Sequence, residues 1–330
     1  MSNGKATILV VGGAGYIGSH ACKALAAEGF IPVVFDNFHR GHRWAVQWGP
    51  LVEGDIRDAA ALDAAFAAHR PVAVMHFAAL SEVGESVKRP YDFYSNNVCG
   101  TLSLLQAMER AGCATIVFSS TCATYGLPET VPIPEDHPQR PINPYGATKL
   151  AVEGLLRDAG PALGLRSAVL RYFNAAGADP EAQVGERHEP ETHLIPLVLQ
   201  VAAGRRDCIR VFGDDYPTPD GTCIRDYIHV CDLADAHVLA LRHLLAGGDS
   251  LELNLGNGAG YSVREVIDTA RAVTGHAIPA ITEPRRPGDP PVLVGDAAKA
   301  RALLGWVPRR PALADQIADA WRWECTGAPA

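Results

Sequence analysis

Tyr145 and Lys149 stand four residues apart in Pro144-Tyr145-Gly146-Ala147-Thr148-Lys149. Four residues is about one helical turn, so the spacing puts both side chains on one helix face. A free tyrosine has a pKa of about 10, so only about one in a thousand is ionised at neutral pH. A lysine ammonium one turn away favours the phenolate and makes the tyrosine a usable proton acceptor. Taken alone, Tyr145 reads as well as an aromatic at a helix start behind Pro144. A second piece of chemistry upstream separates the two readings.

Gly12-Gly13-Ala14-Gly15-Tyr16-Ile17-Gly18 carries glycines at G-x-x-G-x-x-G spacing and also fits G-x-G-x-x-G from Gly13. It lies between an apolar run, Ala6–Val11, and helical spacing over Tyr16–Ala27, the context in which such a loop cradles a pyrophosphate. Gly12 and Gly15 permit a tight turn and close backbone approach, and Gly18 lets the helix pack near the sheet. The helix start at Tyr16 and Ile17 faces the anion. Asp36 ends the next apolar run, 18 residues beyond Gly18. A carboxylate there accepts from ribose hydroxyls and repels a 2′-phosphate, so NAD is expected rather than NADP. The plainer reading of Asp36 is a turn aspartate before Asn37. Asp55-Ile56 is an expected adenine contact, or else part of a helix N-cap. Phe77-Ala78-Ala79 ends an apolar run with residues small enough for a ring or ribose to lie close; His76 before them reads as a core histidine. A nicotinamide cofactor beside a proton acceptor means redox chemistry at a carbinol.

The elements that must position these groups alternate. Strands are expected at Ala6–Val11, Ile31–Phe35, Leu51–Glu53, Val72–Phe77, Thr115–Ser119 and Ser167–Phe173. Helices are expected at Tyr16–Ala27, Ala59–Ala68, Tyr91–Ala111 and Tyr145–Leu163. Near-continuous apolar strands alternating with helices mean a Rossmann-type, doubly wound parallel α/β sheet covered on both faces. After about residue 175 the texture changes. Polar loops at Gly177–Glu191, Gly213–Cys223 and Pro284–Pro291 alternate with helical stretches at Leu194–Ala203, Asp232–Leu245, Ser262–Thr274 and Leu313–Trp323. The expected organisation is a cofactor domain over 1–175, carrying Tyr145 and Lys149. A smaller mixed α/β substrate subdomain follows over 176–330, with part of 230–260 returning to the first. The pocket is expected where the two parts meet.

Composition narrows the function. The chain has 330 residues, 48% hydrophobic and 20% charged, enough for a sizeable core. Its 29 basic and 37 acidic residues give a net charge of −8, which argues against nucleic-acid binding. The eight cysteines form no C-x-x-C and no cysteine–histidine cluster, so reduced thiols in a cytoplasmic protein are expected, with no disulfide and no metal. Residues 1–5 run into the first strand without a signal segment, and no apolar run reaches the ~18 residues of a membrane span.

The motifs resemble the extended short-chain dehydrogenase/reductase superfamily and, within it, the UDP-glucose (UDP-galactose) 4-epimerases. The matching segments are GGAGYIGSH (12–20), Asp36-Asn37, 76–80, VGES (83–86), Asn96-Asn97-Val98, Ser119-Ser120-Thr121, Tyr125-Gly126 and 144–149. They continue with RYFNAAG (171–177), Phe212-Gly213, Asp220-Gly221-Thr222, RDYIHV (225–230) and RRPGD (285–289). The resemblance implies Tyr145 as base, Lys149 as its activator and ribose ligand, and Thr121 as a hydroxyl on the sugar's 4-OH. It places Asn96, Ser119, Tyr172 and Phe173 around the cofactor. Asn174, His193, Leu194, Phe212, Arg225, Arg286 and Asp289 would hold the nucleotide-sugar. The arginines would take the diphosphate by charge-assisted bonds and Asp289 the uridine ribose. Leu293 aligns with a gate over the hexose, intermediate between the tyrosine that excludes N-acetyl sugars and the small residue that admits them. Ser81 replaces a lysine of some relatives, and His193 an asparagine.

The resemblance implies epimerisation of a UDP-hexose, with NAD staying bound in a homodimer built on the Tyr91–Ala111 and Tyr145–Leu163 helices. A 4-epimerase for UDP-N-acetylhexosamines or UDP-pentoses would use the same residues. A non-catalytic NAD sensor is the remote alternative on such a fold, and the retained tyrosine–lysine pair and arginines weigh against it. A 4,6-dehydratase would need an Asp-Glu pair after Thr121, where this chain has Cys122-Ala123.

Overall fold

A computed structural model describes residues 5–286 and 288–326. Residues 1–4, 327–330 and Pro287 of the RRPGD motif lie outside the described residues. In chain order the first elements are β1 (Thr7–Val11), α1 (Tyr16–Ala27), β2 (Ile31–Asp36), β3 (Leu51–Glu53), α2 (Ala59–His69) and β4 (Ala73–His76). There follow α3 (Val83–Lys88), α4 (Pro90–Phe93), α5 (Gly100–Ala111), β5 (Thr115–Thr121), α6 (Pro144–Leu163) and β6 (Arg166–Tyr172). The second half brings β7 (Asn174–Ala176), α7 (Leu194–Ala202), β8 (Ile209–Phe212), β9 (Ile224–His229), α8 (Val230–Leu245) and β10 (Leu251–Leu255). Last come β11 (Gly260–Ser262), α9 (Val263–Thr274), β12 (Ala280–Glu283), β13 (Val292–Leu293), α10 (Ala298–Leu304) and α11 (Leu313–Thr326).

The chain divides into two compact units. The first comprises Met1–Gly126, Pro138–Arg171 and Ala234–Leu253; the second comprises Leu127–His137, Tyr172–Leu233 and Asn254–Ala330. A seven-stranded sheet runs β10-β6-β5-β4-β1-β2-β3. The pairs β1–β2, β1–β4, β2–β3 and β4–β5 are parallel, so their carboxyl ends point the same way. The apolar runs behind it bury a core that includes Leu9, Phe35, Val74, Ile116, Phe118 and Val152. Order reverses between β1 and β4, so the loops after those strands form the switch point at which α/β sheets bind ligands. In the second unit β9 has β11 antiparallel on it and β7 and β13 parallel, while β8 pairs β12.

The expected single helix over Tyr91–Ala111 is interrupted. Between α4 and α5, Tyr94–Cys99 widens into a π-helical turn that buries Asn97. The mixed α/β character expected of residues 176–330 is present, but the positions of the short strands there are not legible in the sequence. They are two to six residues long, too short for an alternating pattern to stand out.

Candidate active site

α6 begins where the sequence demands. Asn143 caps it by accepting from Gly146 N–H at 2.8 Å, and Pro144 occupies the first turn, where its missing N–H costs nothing. Gly146 packs directly on the Ala123 carbonyl, where a Cβ would collide. The helix start is therefore pressed against the turn that follows Thr121, carrying Tyr145 with it. One turn on, Lys149 is 3% exposed, lies 4.8 Å over the Phe118 ring and 6.0 Å from the Tyr145 ring centre, and donates to Ser119 O at 2.8 Å. Burial pulls the lysine pKa down to about 7, against the opposing pull of Glu153. A cation held this close to the ring stabilises a phenolate there. Thr121 accepts from Ala123 N–H at 3.2 Å, a bond that leaves its own hydroxyl proton to donate.

The glycine loop meets the end of β4. Gly12 has φ +81°, and a Cβ on it would lie 2.5 Å from Ala78 N. Gly18 is likewise closed against the Gly12 carbonyl. α1 has no side-chain cap and no acidic residue in its first turn, so its leading N–H groups at Tyr16 and Ile17 suit an anion. Asp36 accepts from Ala14 N–H at 3.0 Å and Phe38 N–H at 2.8 Å; burial raises its pKa while these bonds oppose the rise. The loop and the acid thus form one cradle, which fits a dinucleotide. Asn37 donates to Asp55 at 2.9 Å. Asp55 also forms an ion pair with Arg57 at 2.7 Å, which holds its carboxyl well below the usual range, and Ile56 is buried against Gly100. The N-cap of α2 is Asp58 rather than Asp55. Phe77 packs on His237, ring centres 4.8 Å apart, beside Ala78 and Ala79. His76 is buried and bonds Thr101 at 2.9 Å, a core histidine.

Asn96 donates to Asn97 at 3.0 Å, and Asn97 carries the larger load. It accepts from Leu80 N–H at 2.8 Å and donates to Leu80 O at 2.9 Å and to Thr148 at 3.1 Å. It thereby ties the loop after β4 to α6. Sequence reasoning named Asn96 and missed its neighbour, although the spacing Asn97 to Thr101 marks the buried face.

In the second unit Arg225 sits on β9 opposite Tyr261 of β11 and Leu293 of β13. It donates to Ile224 O at 2.8 Å and is paired with Asp289. The two residues expected to serve the diphosphate and the ribose separately are thus partners of each other. Arg286 stacks 4.0 Å over the Phe212 ring. Asn174 donates to Asp226 O at 3.1 Å, and Phe173 fills the space a side chain at Gly295 would need. Tyr172 and Phe173 are both nearly buried. His193 precedes α7, with Leu194 its first residue, and bonds the carboxylates of Glu186 and Glu191. The other polar residues of the 225–230 segment are structural. Buried Asp226 accepts from Asn257 N–H at 2.9 Å, with burial raising its pKa to about 6, and His229 bonds Asp319 at 3.2 Å.

Comparison with known proteins gives a consistent answer. Residues 8–256 match the NAD dependent epimerase/dehydratase family. The chain is 59% identical to a UDP-glucose 4-epimerase of Rhizobium leguminosarum bv. trifolii, over 96% of this chain and 97% of that one. It resembles the crystal structure of the Brucella ovis UDP-glucose 4-epimerase in complex with NAD, with TM-score 0.94, 53% identity and 96% and 98% of the two chains covered. The Bifidobacterium longum enzyme in complex with NAD+ and UDP matches at TM-score 0.93 and 39% identity, over 97% and 98%. The chain belongs to the NAD dependent epimerase/dehydratase family and, within it, to the UDP-glucose 4-epimerases.

Proposed function

We infer that the protein interconverts UDP-glucose and UDP-galactose, inverting the sugar's fourth carbon with NAD as its cofactor. The observation that carries this is the buried Lys149, bonded to Ser119 and facing Tyr145, in a chain similar over 96% of its length to a UDP-glucose 4-epimerase. NAD, when bound, supplies the hydride acceptor and donor for that carbon. Gly12, Gly15 and Gly18, with the first turn of α1, would hold its diphosphate and Asp36 its ribose. Tyr145 takes the proton of the 4-hydroxyl and later returns it, so the same oxygen serves both faces of the sugar. Lys149 stabilises the phenolate in between, and Thr121 orients the hydroxyl. Between the two proton transfers the 4-keto sugar must turn over while the nucleotide stays anchored. Arg286, which pairs with no carboxylate among the described residues, keeps its charge for the diphosphate; Arg225 shares its charge with Asp289. Binding energy at the nucleotide then holds the intermediate while the reacting ring moves.

Incubating the protein with UDP-galactose and no added reductant should yield UDP-glucose, resolved by chromatography. An unchanged substrate pool sinks the reading. Tyr145→Phe should retain NAD yet lose at least about a hundredfold in kcat; near-normal turnover would remove it as the base.

We also place the protein in the cytoplasm as a homodimer. All eight cysteines are free, and no helix among the described residues is long and apolar enough to cross a membrane. Tyr91, Tyr94, Leu102 and Leu163 are exposed apolar residues on the helices expected to pair. Sedimentation as a monomer at assay concentration would remove the dimer, and recovery of the native protein outside the cytoplasm would remove the location.

A further inference from the structure

Ahead of α7, the segment Glu186-Arg187-His188-Glu189-Pro190-Glu191-Thr192-His193 folds so that four side chains converge. One donor atom from each of Glu186, His188, Glu191 and His193 lies within 4.8 Å of the other three. Nδ1 of His193 is 2.8 Å from Glu186 and 3.0 Å from Glu191. Nδ1 of His188 is 3.1 Å from the same Glu186 oxygen and 3.7 Å from the other Glu191 oxygen, Oε2. Ligands about 2.0–2.1 Å from a tetrahedral zinc ion stand roughly 3.3 Å from one another. The four separations bracket that value.

The surroundings agree. The Glu186 and Glu191 side chains are 7% and 5% exposed, while His188 and His193 keep 23% and 49%. The carboxylates therefore form a covered floor, and the imidazoles leave an entry path. Two carboxylates balance the charge of one dication. Mixed imidazole and carboxylate donors in a four-atom cage suit a transition metal, whereas magnesium and calcium require six or more oxygens. Cysteine pairs and cysteine–histidine clusters, whose absence led to the expectation of no metal, are not the only ligand patterns; E-x-H-x-x-E-x-H contains neither.

We propose that Glu186, His188, Glu191 and His193 form a four-ligand site for one divalent transition-metal ion, zinc foremost, which staples residues 186–193 to the start of α7. Bound through Nδ1, His193 would have its ring orientation fixed at the helix entrance, with Nε2 left to donate. The competing arrangement is the same quartet held by hydrogen bonds alone.

The test uses the full chain, stripped with a chelator and dialysed, and reads binding rather than turnover. Calorimetric titration with zinc chloride should give one ion per chain. Cobalt(II) should give the visible d–d bands of a four-coordinate nitrogen–oxygen site, with no thiolate charge-transfer band. His188→Ala and Glu191→Gln should each weaken zinc binding at least about tenfold, with the fold checked by circular dichroism. Should His188→Ala fail to fold, the nearly isosteric Glu191→Gln carries the comparison. No saturable zinc binding, an affinity unchanged in the variants that fold, or a thiolate band from the cysteines would each overturn the proposal.

Discussion

Lys149 is held in its place against the preference of its own charge. Burial draws its pKa to about 7, below the value near 10.5 of the unfolded chain. Between those two values the unfolded chain keeps a proton that the folded chain has released. Stability from this residue therefore rises with pH across that window, and the full penalty of burying the ammonium applies below pH 7. Lys149→Met should remove the penalty. The cofactor-free wild type should gain on the variant by up to about 1.4 kcal/mol per pH unit between pH 7 and 9, read from urea midpoints. A difference independent of pH would mean that the ammonium is not penalised. The same variant should lose activity, because a methionine cannot stabilise a phenolate at Tyr145. This pair was legible in the sequence because its chemistry depends on a spacing of four along one helix. The quartet at 186–193 depends on how a loop folds, which no periodicity records.

At the scale of elements, the π-helical turn Tyr94–Cys99 is the device that brings Asn97 inward to Leu80 and Thr148. Apolar periodicity runs straight through it, so the sequence reads as one helix over Tyr91–Ala111. The strands of the parallel sheet were readable for the opposite reason: each is a compact apolar run between turn residues. Asn97→Ala deletes four side-chain hydrogen bonds and should destabilise the fold by about 1–3 kcal/mol. It should also weaken NAD binding, since the Ala78–Leu80 backbone beside Gly12 loses its clamp. Wild-type denaturation midpoint and NAD affinity together would show that the turn does not support the cradle.

At the scale of the molecule, the first unit is assembled from three separate stretches of chain, and a buried ionic network joins them. Glu153 on α6, fully buried, accepts from Arg171 of β6 at 2.7 Å, from Ser120 of β5 at 2.5 Å and from Gln139 at 2.8 Å. Arg171, 1% exposed, also reaches Glu252 of β10 at 2.5 Å and Tyr125 at 3.1 Å. Arg171 lies 18 residues from Glu153 and 81 from Glu252. No local pattern could have paired them, and Arg171 was visible only as the first letter of a motif. Glu153 also belongs to the α6 face that carries Lys149, so the network fixes the rotation of that helix. Removing one member of a buried pair leaves an uncompensated charge. Arg171→Met should therefore cost about 3 kcal/mol or more, partly relieved by Arg157, which also reaches Glu153 at 3.1 Å. Arg171→Met combined with Glu153→Met should be less destabilised than the sum of the single variants, because the stranded carboxylate is gone. Strict additivity in that cycle would show that the two residues stabilise the unit independently.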